Sequence, residues 1–398
     1  MYLLPFAALA MASCSSSEDV AQNVQTPSQE LKFFPAVEGT TRGAVESNAS
    51  ISKFHVYADG DLKKTVVAAE NDSYTAAWQA VTKVGTVWTP QTPMWWATDA
   101  EATATKAAGT EAKATFTAFA NALSDPDTEM ESATNGKLVN VIVPTDLSKQ
   151  KDLVVAYNTG KRTDFIGGVP LHFRHALSQI IVNATYNNAA DVSTDDYSEL
   201  AIKVKSIKFV GLANKGTLNL PTVSTAAGNT YDPVWTSVDG AEEFAAAPAT
   251  EATLASAAKF IDDSEADNPL LLMPQQKTAT TSLKDGETNG AYLMVEVDIN
   301  KKDGVTDVYP QEGYTGNGGT GYAWIAVPVK IEWNGGYKYT YTLNFSNIAC
   351  GKVSPKNDTA PSGYAFGDDV IKNVPYPVNF LVTVEDVWGD GGTETPSL

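Results

Sequence analysis

"AWIAVPVKIEWNGGYKYTYTLNF", residues 323–345, decides the fold. In its first half Ala323, Ile325, Val327, Val329, Ile331 and Trp333 recur at every second position, with Lys330 and Glu332 on the other face. In its second half Tyr337, Tyr339, Tyr341, Leu343 and Phe345 alternate with Lys338, Thr340, Thr342 and Asn344. Successive side chains of a strand point to opposite faces, so both halves read as half-buried strands. Between them stands Asn334-Gly335-Gly336, where positive φ is easily reached, and the whole segment reads as a hairpin.

The alternation extends outward. "YLMVEVDI", residues 292–299, turns Val295, Val297 and Ile299 inward. "VNFLVTVEDV", residues 378–387, does the same with Phe380, Val382 and Val384. Many short strands with polar turns predict an all-β protein built from two sandwich-like units. A boundary falls near residues 173–177, where one strand-like run meets another without a long linker. The expected division is therefore 31–174 and 175–398. Two alanine-rich stretches, 97–123 and 240–261, break the pattern and are expected to hold either a short helix or an insertion over a sheet.

Composition narrows the function. The chain has 28 Lys plus Arg against 47 Asp plus Glu, a formal net charge of −19. Nucleic-acid binding depends on clustered cations, so a phosphate backbone is not an expected partner. Two cysteines, Cys14 and Cys350, do not make a disulfide framework, and with three histidines they do not make a zinc cluster. No metal or cofactor is expected. "GYTGNGGTGYAW", residues 313–324, is glycine-rich but precedes a strand, whereas a nucleotide loop follows a strand and opens a helix. No nucleophile elbow or zinc motif is present, and pairs such as Glu385-Asp386 and Asp262-Asp263 point to opposite faces of a strand. An enzyme is not expected. A calcium site at "DGVTD", residues 303–307, would need more ligands than the loop offers.

The N-terminus carries its own reading. Residues 1–13, "MYLLPFAALAMAS", are apolar and end in small residues, like the later parts of a secretory signal, although no Lys or Arg precedes Lys32. Cys14 follows Ala12-Ser13 and resembles the lipidated cysteine of a bacterial lipoprotein box, with Met11 where Leu is usual. The alternative is a plain signal with an incidental cysteine. Residues 15–30, "SSSEDVAQNVQTPSQE", are polar and without period, so 14–30 reads as a flexible tether.

An ordered set of segments carries a resemblance: "KDLVVAYNTG" (151–160), "VPLHFRHALSQIIVNATY" (169–186), "VKSIKFVGLANKGTLNL" (204–220), "PLLLMPQQ" (269–276) and residues 325–343. The chain resembles the fimbrillin-like proteins of Bacteroidetes, subunits of type V pili, from about residue 31 to about residue 388. The resemblance implies two transthyretin-like, Greek-key β-sandwich domains in tandem, a lipoprotein precursor held at the outer membrane, and assembly at the cell surface. Asp152 and Leu153 match the family's strand entry, Leu171, Phe173, His175, Ala176 and Leu177 its "LxFxHAL" segment, and Pro274-Gln275 a strand-ending turn. His172 and His175 are three apart, face opposite sides of a strand and so do not share a metal; they are expected to pack and hydrogen-bond at the domain junction.

In type V pilins an arginine-specific protease removes the first strand, and a partner's C-terminal strand takes its place. The pieces for such an exchange with other copies or related subunits are here. "LKFFPAV", residues 31–37, offers a first strand with Leu31, Phe33 and Val37 on one face. A loop with a single arginine follows, so Arg42–Gly43 is the candidate cleavage site; otherwise it is an uncut surface loop. Val378, Phe380, Val382 and Val384 form the candidate donor strand, unless that strand is kept as the last of its own domain. Such a chain is a structural or accessory fimbrial subunit. The competing reading is a non-polymerising surface lipoprotein that binds glycans or host proteins. Its motive is Trp88, Trp95 and Trp96 in "VWTPQTPMWWAT", residues 87–98, which are either an adhesive surface or core anchors.

Overall fold

The computed structural model describes residues 30–37, 51–64, 75–85, 87–97, 111–120, 137–187, 200–220, 233–246, 251–254, 259–260, 270–279, 290–301, 303–310, 321–346, 379–385 and 393–394. Among these the chain is all-β, with two short 3-10 turns and no α-helix.

The first unit is built from β1 (Phe33–Val37), β2 (Lys53–Gly60), β3 (Leu62–Lys63), β4 (Trp78–Val84) and β5 (Val87–Pro90). It continues with β6 (Trp95–Trp96), β7 (Lys113–Ala120), β8 (Lys137–Ile142), β9 (Val154–Lys161) and β10 (Val169–His175). Seven of these close by hydrogen bonding in the order β1-β10-β9-β7-β2-β4-β5. Their inward positions form one core that includes Phe33, Phe54, Val56, Phe116, Leu171 and Phe173. β7 lies in the first alanine-rich stretch, so the expectation of a helix or an insertion there is corrected. "KATFTAFA" keeps a period of two, with Ala114, Phe116, Ala118 and Ala120 in the barrel core. Cross-strand packing of that face outweighs the intrinsic helix preference of alanine, which tertiary context overrides.

The second unit holds β11 (Ser178–Asn187), β12 (Leu200–Leu212), β13 (Lys215–Asn219), β14 (Val234–Asp239) and β15 (Glu242–Ala246). Next come β16 (Ala252–Thr253), β17 (Lys259–Phe260), β18 (Leu270–Leu272), β19 (Gln276–Lys277), β20 (Tyr292–Lys301) and β21 (Asp307–Tyr309). The last are β22 (Ala323–Pro328), β23 (Ile331–Glu332), β24 (Lys338–Ser346), β25 (Asn379–Glu385) and β26 (Thr393–Glu394). One sheet runs β17-β11-β24-β25-β26, with β18 also on β11. The other runs β15-β12-β20-β21, with β16 on β12 and β22 on β20. The second alanine-rich stretch thus contributes β15, β16 and β17, again strands in place of a helix. Both sheets give their inner faces to a shared, mainly aliphatic core: Ile180, Val182, Ile202, Val204, Val295, Val297 and Leu343 belong to it. A bulge at Lys205 keeps β12 in phase with that core. Ile202 and Val204 point inward before it, and Ile207 and Phe209 after it.

The units are joined through more than one connection. β8 pairs with β13 in a three-stranded sheet, β14-β13-β8, although its residues precede the expected boundary at 174/175. Phe119 of β7 faces away from the barrel core and joins the second one.

The hairpin expected around Asn334-Gly335-Gly336 is corrected. β22 pairs with β20, while β24 lies between β11, in parallel, and β25, antiparallel. Residues 333–337 cross from one sheet to the other. Gly336 has φ +81°, and a Cβ on Gly335 would stand 2.8 Å from the Ala176 carbonyl oxygen. The tight glycines serve a close backbone crossing. The inward face is as expected: Ile325, Val327, Val329, Ile331, Trp333, Tyr339, Tyr341, Leu343 and Phe345 all belong to the main core. The half-burial is corrected for β22, whose other face, Trp324 and Ala326, is buried in a second cluster with Val210, Tyr292 and Met294.

Candidate assembly groove

β1 occupies the place where the barrel closes. It runs parallel to β10 over five residue pairs, from Phe33↔Val169 to Val37↔Phe173. Its other neighbour, β5, meets it at one pair, Phe33↔Trp88. Just upstream, the Leu31 N–H donates to the Met94 carbonyl at 2.8 Å, and the Val169 N–H donates to the Lys32 carbonyl at 2.8 Å. β1 is thus a short strand held firmly on one side and lightly on the other.

Its side chains follow from a period of two. Leu31 and Phe33 are buried, and Phe34 is 49% exposed. Phe33 stands at the centre of an aromatic cluster. Its ring meets Phe54 at 6.0 Å and 89°, and Phe116 at 5.8 Å and 78°. Phe54 continues to Phe173 at 5.4 Å and Phe116 to Trp96 at 5.9 Å. Edge-to-face contacts of this kind add about 0.5–1.5 kcal/mol each beyond area burial. Removing β1 would leave a slot floored by these rings and edged by the unpaired backbone of β10. Such a slot accepts an extended chain readily, because the backbone needs partners and the pockets need filling.

The expected site residues fall into four groups. Leu31 and Phe33 lie in the core as expected, whereas the Val37 side chain lies outside the described residues. Cys14, Arg42, Gly43 and Val378 also lie outside them. The backbone of β25 sets Phe380 opposite Leu343, Val382 opposite Tyr341 and Val384 opposite Tyr339. Of the two readings of the tryptophans, the adhesive surface is corrected for Trp88 and Trp96 and the core one holds: Trp96 is 1% and Trp88 6% exposed, and of the three only Trp95 keeps part of its surface in solvent. "VWTPQTPMWWAT" turns its large rings into the barrel because Phe54, Phe116 and Phe165 offer them aromatic neighbours. Phe54 and Phe116, the floor of the slot, were not singled out from the sequence. Their signal is the alternation in "KFHVYA" and "KATFTAFA".

His172 is exposed and His175 buried, on opposite faces of β10. His175 Nδ1 lies 2.7 Å from Asp152 Oδ2, and both side chains are almost wholly buried at the junction of the units. This is the packing role expected of His175; for His172 the expectation is corrected, because its position on the outer face of β10 leaves it exposed. The Asp303 carboxylate accepts from the Thr306 hydroxyl and from the N–H groups of Val305 and Thr306. Those bonds, the hydroxyl's first, hold its carboxyl down to about 2 and occupy it within its own turn. Among the described residues no three His, Cys, Asp or Glu side chains gather as metal ligands do.

The comparisons with known proteins bear on the same architecture. The fimbrillin-like family profile matches residues 39–359, well over half of the chain. The chain belongs to the fimbrillin-like family. β1 and β25, the two strands of the exchange argument, lie on either side of the matched span. Among solved structures, a fimbrial protein from Bacteroides vulgatus is 16% identical, with a TM-score of 0.45, over 92% of this chain and 99% of that one. A fimbrial assembly protein from Parabacteroides distasonis is 10% identical, with a TM-score of 0.39, over 92% of this chain and 98% of that one. No curated protein matches the chain. Membership of the family makes this a fimbrial, cell-surface protein and not an enzyme.

Proposed function

We propose that this chain is a fimbrial subunit that joins its neighbours by strand exchange at the slot filled by β1. The observation that carries the reading is the position of β1, at the closure of a barrel, paired along one side and touched at one residue on the other. Cys14 and β1 lie on the same side of the Arg42–Gly43 bond. One cut there separates both the lipid anchor and the plugging strand from the rest of the chain. The plug is then held by non-covalent contacts alone and can be replaced.

The sequence of the C-terminal strand supports it as the replacement. "LKFFPAV" and "VNFLVTV" match position by position when Leu31 is set against Val378. Phe380 then falls on Phe33, Val382 on Pro35 and Val384 on Val37, with polar Lys32 and Asn379 at the same outward position. Entering in the direction of β1, parallel to β10, a partner's strand would offer an aromatic ring to the Phe54–Phe116 pocket. In the free chain β25 instead pairs with β24, so donation requires it to leave its own sheet.

The test is treatment of the full chain with an arginine-specific protease, followed by mass spectrometry of the N-terminus and electrophoresis without boiling. The expected product begins at Gly43 and runs as a ladder of oligomers. Cleavage at Gly43 with the chain still monomeric would remove the exchange mechanism. An uncut Arg42 would remove the processing site. A diacylglyceryl group on Cys14 of the precursor is the expected mark of the anchor.

A further inference from the structure

A second concavity lies in the second unit, away from β1. It is about 640 Å³, within the range of small-ligand sites, and opens between β14, the turn entering β19 and the crossing at residues 333–337. Its rings are Trp235, Trp333 and Tyr337. Trp333 is buried and forms the floor, its indole N–H donating to the Tyr341 hydroxyl at 2.9 Å. Trp235 and Tyr337 are half-buried. The Trp235 ring is fixed, since its N–H donates to the Ala176 carbonyl at 2.7 Å.

The polar groups divide into used and unused. The Gln275 amide is consumed: Oε1 accepts from the Ala213 N–H, and Nε2 donates to the Ala213 and Met273 carbonyls. It clamps the turn. The side chains of Gln276, Lys277 and Asn334 make no hydrogen bond or ion pair among the described residues. Lys277 is the one charged side chain among the described lining residues. Glu332, opposite Gln276 in the ladder, is taken up by Lys330. On a chain of net charge −19, a groove whose described lining holds a free ammonium and no carboxylate stands apart.

We propose that this groove binds an acidic glycan, with sugar rings against Trp235 and Tyr337, hydroxyls bonded by Gln276 and Asn334, and a carboxylate held by Lys277. Aromatic faces match the C–H faces of sugar rings. Primary amides both donate and accept, as hydroxyls require. A charge-assisted bond to a carboxylate selects acidic over neutral sugars. The proposal is independent of strand exchange, because it uses no residue of the β1 slot. It places sugar recognition in the second unit, not at the tryptophans near β6.

The test applies the full chain to an array of uronic-acid, sialic-acid and neutral glycans, with the best acidic glycan then titrated by calorimetry. Tyr337→Ala is expected to weaken binding by about tenfold, and Asn334→Ala by a few-fold. Lys277→Gln is expected to abolish the preference for acidic over neutral sugars and to flatten the salt dependence. Protease-triggered assembly should be unchanged in all three, which separates this proposal from the previous one. Asn334 is exposed, so that variant remains informative if Tyr337→Ala fails to fold. Absence of binding to any acidic glycan, equal binding of acidic and neutral ones, or binding unchanged by Asn334→Ala and Lys277→Gln would overturn the proposal.

Discussion

β1 and β25 carry nearly the same pattern of residues and sit in different surroundings. β1 closes a ring: it is parallel to β10 over five pairs and meets β5 at one. β25 is stacked near the end of an open sheet, antiparallel to β24 over seven pairs, with β26 beyond it at two. A strand that closes a ring leaves two edges and an open core when it goes. A strand near the end of a sheet leaves one edge. The same sequence pattern can therefore be a plug in one place and a removable rim in the other. The barrel side of this contrast is also the aromatic one, whereas β25 borders a core rich in aliphatic side chains.

The largest expected effect breaks the two strands apart. A chain beginning at Gly43 lacks β1, and burial of Leu31 and Phe33 alone is worth about 3–6 kcal/mol. A chain ending at Pro377 lacks β25. Native-state hydrogen exchange should show the first losing protection across residues 169–173 of β10 while 338–344 of β24 keep theirs, and the second showing the reverse. Loss of both regions in either chain would mean that the units do not open separately. Phe119, β8 and the His175–Asp152 pair are the contacts that would carry such joint opening.

A sharper version keeps the strand and removes one ring. Phe33→Ala empties a site surrounded by Phe54 and Phe116 and should cost about 3–5 kcal/mol in urea unfolding. A cost below about 1 kcal/mol would show that Phe33 does not anchor β1 in solution.

How these strands alternate was legible in the sequence; how they pair was not. "LKFFPAV" announces Phe33 as buried, and residues 323–345 announce the inward face of two strands, because a period of two is local. The hairpin failed for a non-local reason. Both edges of β24 are taken by β11 and β25, which lie far from it in the chain, so residues 333–337 had to cross between sheets. The alanine-rich stretch of β7 misled because alanine's local preference is helical, while its small size here serves a strand facing Phe33 and Trp96. The tryptophans near β6 left two readings open: a ring suits a core as well as a surface, and only the positions of Phe116 and Phe165 decide between them.

The crossing itself offers a smaller test on the side of β25. Gly336 sits at φ +81°, within reach of the His175 carbonyl, and it sets the start of β24, the partner of β25. Gly336→Ala should cost about 1–2 kcal/mol from the left-handed backbone. A hairpin pairing β23 directly with β24 would instead lose its turn and its register, and the change would be seen in cross-strand contacts by NMR.

The smallest expected effect lies beside the largest side-chain one. Phe34 follows Phe33, yet it is 49% exposed and rests on Gly168, where an added Cβ would come within 2.5 Å of its ring. Phe34→Ala should cost less than about 1 kcal/mol, since little of the ring leaves a packed environment. The pair of variants therefore reads register directly. A slip of one residue along β10 would bury Phe34 and expose Phe33, because every side chain of a strand changes face together. The two costs would then exchange places. If Phe33→Ala is the costly change and Phe34→Ala the mild one, β1 sits in the register that a strand reading "VNFLVTV" would have to copy.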